Sequence, residues 1–437
     1  MPAMGTKSEI IIVGAGAAGL MAARELAKAE KKVVILEARN RIGGRIWPLP
    51  EKEFGYPVQG GAEFVHGPAP ITKSLIREAG LTFVPMEGEI WSAHSGKLAK
   101  AEHTMPYQDL LHEKLKALEQ DMPIAAFLDK NFREEKYAML RNLVIKMVEG
   151  YDAADPNKIS TFSLREEWLG GEEWQQGRIK EGYGALLNFL LFECKQNGVD
   201  IYLNQKVQSI EMSDGGVSVD CLNATRYIAE KVVVTLSLPT ISSISFDPKI
   251  PEKIAAASKI GFGNAIKLLL RFKDRWWTNR LEQDFSKLDF VQCDGHFAAW
   301  WTQYPELNPI LTGWMAGPIT KQFKKVSDKE IVDLGLDSLS DIFKVDKDIL
   351  RKQAVASKVI NWPADPLAKG AYSYSTIESE EAYAELRKPV DTRIFFAGEA
   401  LCLGKESATV EGALASGKET AAKILINRDG STGRATS

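Results

Sequence analysis

A short apolar run followed directly by a glycine-rich turn constrains the fold of this chain more than any other feature. Residues 9–13 read Glu-Ile-Ile-Ile-Val, and Gly14, Gly16 and Gly19 then form a G-x-G-x-x-G pattern ahead of an alanine- and leucine-rich stretch. This order predicts a strand, a tight turn and a helix. Residues 32–36, Lys-Val-Val-Ile-Leu, predict a second buried strand. If the two strands are parallel, the segment forms a right-handed βαβ unit.

The spacing of the three glycines predicts that this unit binds a dinucleotide. The first glycine permits the turn, the second lets the backbone approach a pyrophosphate, and the third allows close packing of the helix on the strand. The helix N-terminus then faces the anion. Glu37 ends the second strand eighteen residues after Gly19, where a carboxylate accepts hydrogen bonds from a ribose. The alternative, a glycine-rich turn without a ligand, does not account for Glu37.

The residues after Glu37 decide between NAD and FAD, which share this fingerprint. The sequence continues Ala38, Arg39, Asn, Arg, Ile, Gly, Gly44 and Arg45. Two consecutive glycines beside an arginine offer a second close approach of backbone to phosphate, with a guanidinium for charge. This string resembles the extended dinucleotide signature of the flavin amine oxidase family, whose members bind FAD.

The resemblance recurs along nearly the whole chain, in the order in which the family carries its motifs. Residues 60–67 resemble the segment that runs past the flavin ring, and 261–267 resemble the strand that carries the active-site lysine. Residues 362–374 resemble the flavin-side segment, and 396–399 and 407–413 resemble the closing ones. The chain is therefore similar to the flavin-containing amine oxidases, which include monoamine and polyamine oxidases.

The resemblance implies a set of residues that contact FAD. Glu399 would bind the ribityl chain, Val410 would offer its backbone N–H to the pyrimidine edge of the ring, and Val207 would face adenine. Ala371 stands where the monoamine oxidases of animals carry the cysteine that bonds the flavin, so the FAD is expected to be non-covalent. The expected cofactor contacts are Gly14, Gly16, Ala18, Gly19, Glu37, Ala38, Arg39, Gly44, Arg45, Gly61, Ala62, Glu63, Val207, Trp362, Gly398, Glu399, Thr409 and Val410.

Lys267 is the residue expected to act in the chemistry. It interrupts the apolar run Ala-Ile-Lys-Leu-Leu-Leu, where an ammonium is costly unless it finds a polar partner. Burial would also lower its pKa. In the family the partner is a water beside flavin N5, and the resemblance implies that Lys267 holds this water and assists the reaction with oxygen. The alternative is a lysine that extends from a strand edge to solvent.

The expected substrate pocket departs from the cage of two tyrosines found in monoamine oxidases. Tyr372 fits one position of the cage, but Thr409 occupies the other. A second aromatic wall is then expected from Trp300, Trp301 or Tyr374.

Motif details favour the polyamine oxidases within the family. Residues 408–410 and 370–374 are similar to strings of polyamine oxidases and of lysine-specific histone demethylases. The chain shows no chromatin-binding extension or long coiled-coil insertion, which disfavours a demethylase. His66 lies where several polyamine oxidases place a histidine or an acid near the substrate, and a buried packing histidine is the alternative.

The expected function is an FAD-dependent amine oxidase that transfers a hydride from the carbon next to the amine nitrogen to flavin N5. The imine then hydrolyses to an aldehyde, an amine or ammonia leaves, and oxygen becomes hydrogen peroxide. The expected catalytic residues are Lys267, His66 and Tyr372. One alternative is an L-amino acid oxidase, although the segment after Gly60 lacks the arginine motif that clamps a carboxylate. The other is a flavoprotein scaffold without turnover.

The pattern of segments predicts an α/β fold with two interleaved domains. Residues 104–150 are helical in character, 206–221 read as a hairpin, and later strands with a helix over 409–426 return to the first sheet. Six of the ten tryptophans lie between 255 and 388, which suits an aromatic substrate chamber or an ordinary core. The predicted segments are 1–85, 196–254 and 389–427 for a doubly wound, Rossmann-like FAD-binding domain, 86–195 and 255–388 for an α+β substrate domain, and 428–437 for a flexible tail.

Charge and composition exclude several classes of partner. The 55 basic and 58 acidic residues are interspersed and leave a net charge of −3, which gives no nucleic-acid or anionic-membrane footprint. No run of about twenty apolar residues could span a bilayer. The four cysteines are widely spaced, as expected for reduced thiols in a cytoplasmic protein. We expect a small amine and oxygen as partners and no metal, and the oligomeric state stays open.

Overall fold

The computed structural model describes residues 7–94, 96–101, 105–170, 176–402 and 404–426. The predicted tail at 428–437 lies outside these residues, as does the first residue of the predicted helical segment 104–150. Among the described residues, no helix has the length and apolar character that crossing a membrane requires.

An eight-stranded sheet forms the first layer and confirms the predicted Rossmann-like α/β fold. The first strand pairs in parallel with the second predicted strand on one side and with Arg226–Val234 on the other, so that Val13 lies opposite Leu36 and Val234. The carboxyl ends of these strands meet at one edge of the sheet, where ligands bind in such folds. In spatial order the strands are Asp200–Tyr202, Val33–Leu36, Lys7–Val13, Arg226–Val234, Gly216–Cys221, Val207–Ser213 and Ser245–Asp247, and Ile394–Phe396 also pairs with Arg226–Val234.

The first helix, Ala17–Lys28, and the last helix, Val410–Ile426, pack against each other beside this sheet. A Cβ atom at Gly417 would lie 2.2 Å from the Ala18 carbonyl oxygen. Glycine is therefore required for the close approach of the two helices. The chain thus returns to its beginning, as the predicted discontinuous domain requires.

Helix Gly182–Gln196 packs into the same core, where Leu186, Leu190 and Cys194 are buried with Leu20 of the first helix. The predicted segment 86–195 assigns this helix to the substrate domain. Its packing favours the FAD-binding domain instead, and the division into domains stays a proposal.

Two local predictions match the structure. The hairpin forms between Val207–Ser213 and Gly216–Cys221. The helical segment contains Gln108–Lys116, Ile124–Asn131 and Ala138–Gly150. These helices share an apolar core with Thr161–Leu169.

A seven-stranded sheet forms the second layer. Its lysine strand, Ala265–Phe272, is buried at every position except Arg271 and lies between Ala354–Asn361 and Ile310–Ala316. Burial on both faces explains the apolar run that surrounds Lys267. In spatial order the strands are Ala354–Asn361, Ala265–Phe272, Ile310–Ala316, Ala299–Trp301, Leu288–Cys293, Glu89–His94 and Lys97–Lys100.

Shorter elements complete the fold. A three-stranded sheet of Phe64–His66, Gln176–Ile179 and Phe83–Pro85 holds the segment that carries His66. The remaining α-helices are Glu51–Phe54, Pro70–Glu78, Leu238–Ile241, Pro251–Lys259, Asp328–Phe343, Lys347–Gln353 and Ser379–Arg387. The remaining strand pairs are Pro48–Leu49 with Val58–Gln59, Gly261–Phe262 with Ser373–Tyr374, and Asn279–Arg280 with Gln283–Asp284.

Candidate active site

One cavity of about 1560 Å³ reaches from the carboxyl edge of the first sheet to the second sheet. Gly14 and Thr235 line it at the first sheet, and Lys267 and Trp314 line it at the second. Gly19 does not line it, in keeping with its predicted packing role. The other predicted site residues all line it: Gly14, Gly16, Ala18, Glu37, Ala38, Arg39, Gly44, Arg45, Gly61, Ala62, Glu63, His66, Val207, Lys267, Trp362, Tyr372, Gly398, Glu399, Thr409 and Val410.

The glycine turn has the geometry that a pyrophosphate site requires. Gly14 has a φ of +108°, a conformation that favours glycine. A Cβ atom at Gly19 would lie 2.0 Å from the Gly14 carbonyl oxygen, so this position needs glycine for packing. A Cβ atom at Gly16 would meet nothing within 4 Å, so an anion can approach the backbone there. The turn therefore fits the diphosphate of FAD.

Glu37 fixes the loop beside this turn. Its carboxylate accepts hydrogen bonds from the backbone N–H groups of Ala15 and Arg39, both at 2.8 Å. The second glycine pair faces the first turn, because a Cβ atom at Gly44 would lie 3.7 Å from the Cα atom of Gly16. The two predicted phosphate loops therefore lie against each other.

Arg45 and Glu399 form an ion pair at 2.7 Å although 354 residues separate them. Arg45 also donates to the Ala371 carbonyl at 2.8 Å, and Glu399 accepts a hydrogen bond from the Ser373 hydroxyl at 2.6 Å. The sequence predicts that the two charged groups bind the phosphate and the ribityl chain. The structure places both in the cavity wall and gives each a protein partner, so their contacts with FAD stay predictions.

The last helix begins at Val410, in the cavity wall. The Thr409 hydroxyl accepts a hydrogen bond from the Gly412 N–H at 3.0 Å and donates one to the Glu406 carbonyl at 2.6 Å, as a helix-capping residue does. The positive end of the helix dipole therefore lies beside the cavity.

Lys267 is 1% exposed. Its Nζ atom donates to Glu63 Oε2 at 2.7 Å and to the Gly61 carbonyl at 3.2 Å. Burial lowers the pKa of Lys267, an effect that the charge of Glu63 opposes. The structure agrees with the predicted burial, and the alternative of a lysine extending to solvent is wrong. The sequence predicts a water as partner of this ammonium, whereas the structure also provides a carboxylate.

Glu63 is the centre of a charged cluster, a role that sequence reasoning missed. Besides Lys267, its carboxyl accepts hydrogen bonds from Trp301 Nε1 at 3.2 Å and Arg178 Nε at 3.3 Å. Burial would raise the pKa of Glu63, but Lys267 and Arg178 hold it below its ordinary value. The carboxyl of Glu63 therefore has protein partners, and the prediction that Glu63 contacts the cofactor stays a prediction.

Tyr372, Tyr151 and His66 form a hydrogen-bonded row in the cavity wall. The Tyr372 hydroxyl donates to the Tyr151 carbonyl at 2.5 Å, and the Tyr151 hydroxyl lies 3.3 Å from His66 Nδ1. Burial lowers the pKa of His66 to about 4, so its imidazole is neutral near pH 7. The structure thus brings two of the predicted catalytic residues together, and their catalytic roles stay proposals.

Two of the three residues expected to replace the second tyrosine reach the cavity. Trp301 and Tyr374 line it. Trp300 does not, because it is buried in the core with Trp277 and donates to the Ser338 hydroxyl at 3.0 Å. Successive side chains of a strand point to opposite faces, so Trp300 and Trp301 cannot share the wall. The expectation for Trp300 is wrong.

The family model described as flavin-containing amine oxidoreductase matches residues 17–425. The chain belongs to this family. Membership confirms the predicted flavin cofactor and the predicted class of enzyme. Among the described residues, no group of three or more His, Cys, Asp or Glu side chains could hold a metal ion.

Individual relatives of this flavin-containing amine oxidoreductase include both oxidases and demethylases. Probable polyamine oxidase 4 of Arabidopsis thaliana is 29% identical over 90% of this chain and 82% of the relative. Lysine-specific histone demethylase 2 of Homo sapiens is 29% identical over 95% of this chain and 53% of the relative. Cyclohexylamine oxidase from Brevibacterium oxydans IH-35A aligns with a TM-score of 0.80 at 21% identity, covering 97% and 100% of the two chains. Putrescine oxidase bound to putrescine aligns with a TM-score of 0.79 at 19% identity, covering 97% of this chain and 100% of the other. The solved structures therefore support the fold.

Two acids in the cavity of this amine oxidoreductase were not predicted. Asp152 follows helix Ala138–Gly150, and Glu167 lies in helix Thr161–Leu169. Burial and the charge of Glu167 raise the pKa of Asp152 well above its ordinary value, and burial raises the pKa of Glu167 to about 7. Acids in such segments usually belong to a solvated face, so the sequence gives no signal for them.

Proposed function

We propose that the chain is an FAD-dependent amine oxidase that takes a hydride from the carbon next to an amine nitrogen, with oxygen as the acceptor. The bound flavin supplies the redox chemistry, accepting the hydride and passing the electrons to oxygen as hydrogen peroxide. The imine product hydrolyses to an aldehyde or ketone and releases an amine or ammonia. The observation that carries this proposal is the cavity of about 1560 Å³, which joins the glycine turn to Lys267 and Tyr372.

The pocket around Tyr372 favours a neutral amine. The lone pair of the nitrogen must be free to drive the hydride from the neighbouring carbon. Burial removes water from this region, which disfavours an ammonium at the reacting position. His66 is neutral, and burial raises the pKa of Tyr372, so its hydroxyl stays protonated. The protein therefore desolvates and aligns the reacting amine.

Lys267 is suited to hold a water or oxygen in the cavity. An ammonium has three N–H donors, and Glu63 and Gly61 take two of them. The third donor is available to a molecule in the cavity. Lys267 can therefore bind Glu63 and Gly61 and still donate to the water that the family resemblance implies.

The charges of the cavity favour an amine over an amino acid. An amino acid oxidase needs an arginine that clamps the substrate carboxylate. Among the described residues, the arginines of the cavity wall are Arg39 and Arg45. They pair with Asp365 at 2.8 Å and with Glu399 at 2.7 Å. A substrate carboxylate would therefore compete with existing partners.

The proposal includes a non-covalent FAD and a reducing, cytoplasmic setting. Ala371 lies in the cavity wall and offers no thiol. Cys194, Cys221 and Cys293 carry free thiols, as expected in a reducing compartment. Cys293 lines the cavity, but burial raises the pKa of its thiol to about 12, so it is a poor nucleophile.

Anaerobic mixing of the purified yellow protein with amines tests the proposal. Spermine, spermidine, putrescine, benzylamine, tyramine and free amino acids form the panel, and peroxide release in air is the second readout. Bleaching of the flavin by a primary or secondary amine, followed by peroxide release, is the expected result. Absence of bleaching across the panel refutes the proposal, and faster oxidation of amino acids than of amines points to the L-amino acid oxidase.

A further inference from the structure

Four charged side chains form a row that leads from the cavity into the protein interior. Lys267 lies 2.7 Å from Glu63, which lies 3.3 Å from Arg178. Arg178 in turn lies 3.3 Å from Asp289. Lys267 and Glu63 line the cavity, whereas Arg178 and Asp289 lie behind its wall. The charges alternate in sign, and each side chain is at most 13% exposed, so solvent screens their attractions only weakly.

Arg178 is held on several sides. It lies opposite Phe64 in a pair of strands, and its guanidinium lies 4.6 Å from the centre of the Phe64 ring. It donates to the carbonyls of Thr302 at 2.9 Å and Tyr304 at 3.0 Å. A guanidinium is planar and its five N–H donors have a fixed geometry. These contacts therefore also fix the direction of the Nε donor, which points at Glu63.

The two carboxylate oxygens of Glu63 have different charged partners. Oε1 accepts a hydrogen bond from Arg178 Nε at 3.3 Å, and Oε2 accepts one from Lys267 Nζ at 2.7 Å. The indole N–H of Trp301 lies 3.2 Å from both oxygens. Because Arg178 holds Oε1, Oε2 is turned toward Lys267. The direction of the remaining donor of Lys267, which is available to the cavity, depends on this arrangement.

The charges of the row act on Lys267 with opposite signs. Glu63 favours the ammonium and Arg178 disfavours it, and these are the charged groups that shift the pKa of Lys267 among the described residues. Its neighbours on the two adjoining strands carry no charge. Asp289 pairs with Arg178. Its negative charge therefore offsets the like charge that Arg178 presents to Lys267.

Building on the proposed amine oxidase function, we propose that Arg178 and Asp289 are positioning residues for the Lys267 ammonium. Acting through Glu63, they keep the ammonium charged and direct its third donor into the cavity. Negative charge develops on oxygen as it accepts electrons, and a fixed positive charge beside it stabilises that state. The row therefore serves the half of the proposed reaction in which oxygen is reduced to hydrogen peroxide.

NMR measures the protonation of Lys267 directly in FAD-loaded protein labelled with carbon-13 at the lysine Cε positions. The signal that is lost in Lys267→Met assigns this resonance, which is then followed as the pH is raised. Asp289→Asn leaves the positive charge of Arg178 unbalanced, so the titration moves to lower pH by about one unit. Arg178→Met removes a like charge, so the titration moves to higher pH by about one unit. A general loosening of the structure would not shift the two variants in opposite directions.

Stopped-flow absorbance gives the kinetic counterpart. The FAD-loaded enzymes are photoreduced without air and mixed with oxygen, and the return of the yellow colour is followed. The rate constant falls as Lys267 loses its proton, at lower pH in Asp289→Asn and at higher pH in Arg178→Met. Below that fall, Arg178→Met is slower than the wild type at least about tenfold, because Glu63 is no longer held. Arg178→Lys keeps the charge but not the planar fork, so its titration resembles that of the wild type and its rate recovers only in part.

Glu306→Gln is the matched control for Asp289→Asn, because Glu306 is an exposed acid two residues after Tyr304. It removes one negative charge and leaves the titration and the rate constant unchanged. Asp289→Asn keeps the shape of the side chain, so it decides the test by itself where Arg178→Met does not fold.

A titration of Asp289→Asn equal to that of Glu306→Gln overturns the proposal, as do shifts of Asp289→Asn and Arg178→Met in the same direction. Opposite shifts in an enzyme that no amine bleaches refute the oxidase function alone. Oxidation of amines without these shifts refutes the positioning role alone.

Discussion

The Nζ atom of Lys267 lies 2.7 Å from Oε2 of Glu63, with side-chain exposures of 2% and 8%. Taking both charges out of water is costly, and their attraction only offsets that cost when the geometry is good. Arg178 shares Glu63, at 3.3 Å. Among the described residues, Glu63 therefore pairs with two cations, Lys267 and Arg178, whereas Lys267 pairs with one carboxylate, that of Glu63.

This asymmetry predicts different costs for removing each partner. Glu63→Gln leaves Lys267 without a counter-charge and is expected to lower the free energy of unfolding by about 3–5 kcal/mol. Lys267→Met lowers the free energy of unfolding by less, because Arg178 still pairs with Glu63. The double variant is expected to be more stable than Glu63→Gln, because neither charge is then left without a partner. Urea unfolding of the FAD-loaded proteins measures this, with Glu134→Gln as an exposed control. A double variant less stable than Glu63→Gln would contradict it.

Lys267→Met is also expected to slow catalysis while FAD stays bound. Loss of the donor that faces the cavity should reduce the rate of flavin bleaching by amine, or of its recovery in oxygen, at least about tenfold. Stopped-flow absorbance separates the two steps. Lys253→Met is the matched control, since Lys253 is buried among the carbonyls of Glu385 and Lys388. Unchanged rates for Lys267→Met would favour a scaffold without turnover.

The glycine turn predicts that cofactor binding and folding can be separated. Gly16→Ala adds a methyl group where the structure has open space, so the protein folds but binds FAD at least about tenfold more weakly. Gly19→Ala brings a Cβ atom to 2.0 Å from a carbonyl oxygen and prevents folding of this unit. Flavin content and circular dichroism distinguish the two results. Gly215→Ala, in a hairpin turn, is the control, and equal FAD affinity in Gly16→Ala would refute the pyrophosphate site.

What the sequence could predict depends on how local the signal is. The βαβ unit and the buried lysine strand follow from periodicity and glycine spacing within short segments. The partner of Lys267 does not, because 204 residues separate it from Glu63. Whether Trp300 or Trp301 faces the cavity depends on which face of the strand each side chain occupies. Two adjacent tryptophans give no alternation of polar and apolar residues from which that face could be predicted. Asp152 and Glu167 look like ordinary helix-surface acids until the fold encloses them.

Burial of Glu167 predicts that the free energy of unfolding falls as the pH rises above neutrality. Burial raises the pKa of Glu167 from 4.5 to about 7, so the folded state binds the proton more tightly than the unfolded state. The resulting stabilisation is complete below pH 4.5 and is lost as the pH rises through about 7. Glu167→Gln lacks this dependence, and its Tm relative to wild type should rise by about 1–3 °C between pH 5 and pH 8. A constant Tm difference would contradict the buried acid.

Denaturation should release the flavin. With Ala371 in the cavity wall and the Cys293 thiol protonated, neither position offers a thiolate that could hold FAD covalently. Heat or acid treatment followed by centrifugation should leave the yellow colour in the supernatant, measured by absorbance. Retention of the colour in the pellet would show a covalent bond.

The packing of the first helix on the last helix has a consequence for biosynthesis. Ala17–Lys28 leaves the ribosome long before Val410–Ile426 is translated, so the apolar surface that they share stays uncovered while the residues between them are made. Contacts between such distant segments form slowly. The flavin-binding unit is therefore begun at Ala17–Lys28 and completed only after Val410–Ile426 has been translated, and FAD can be enclosed only then.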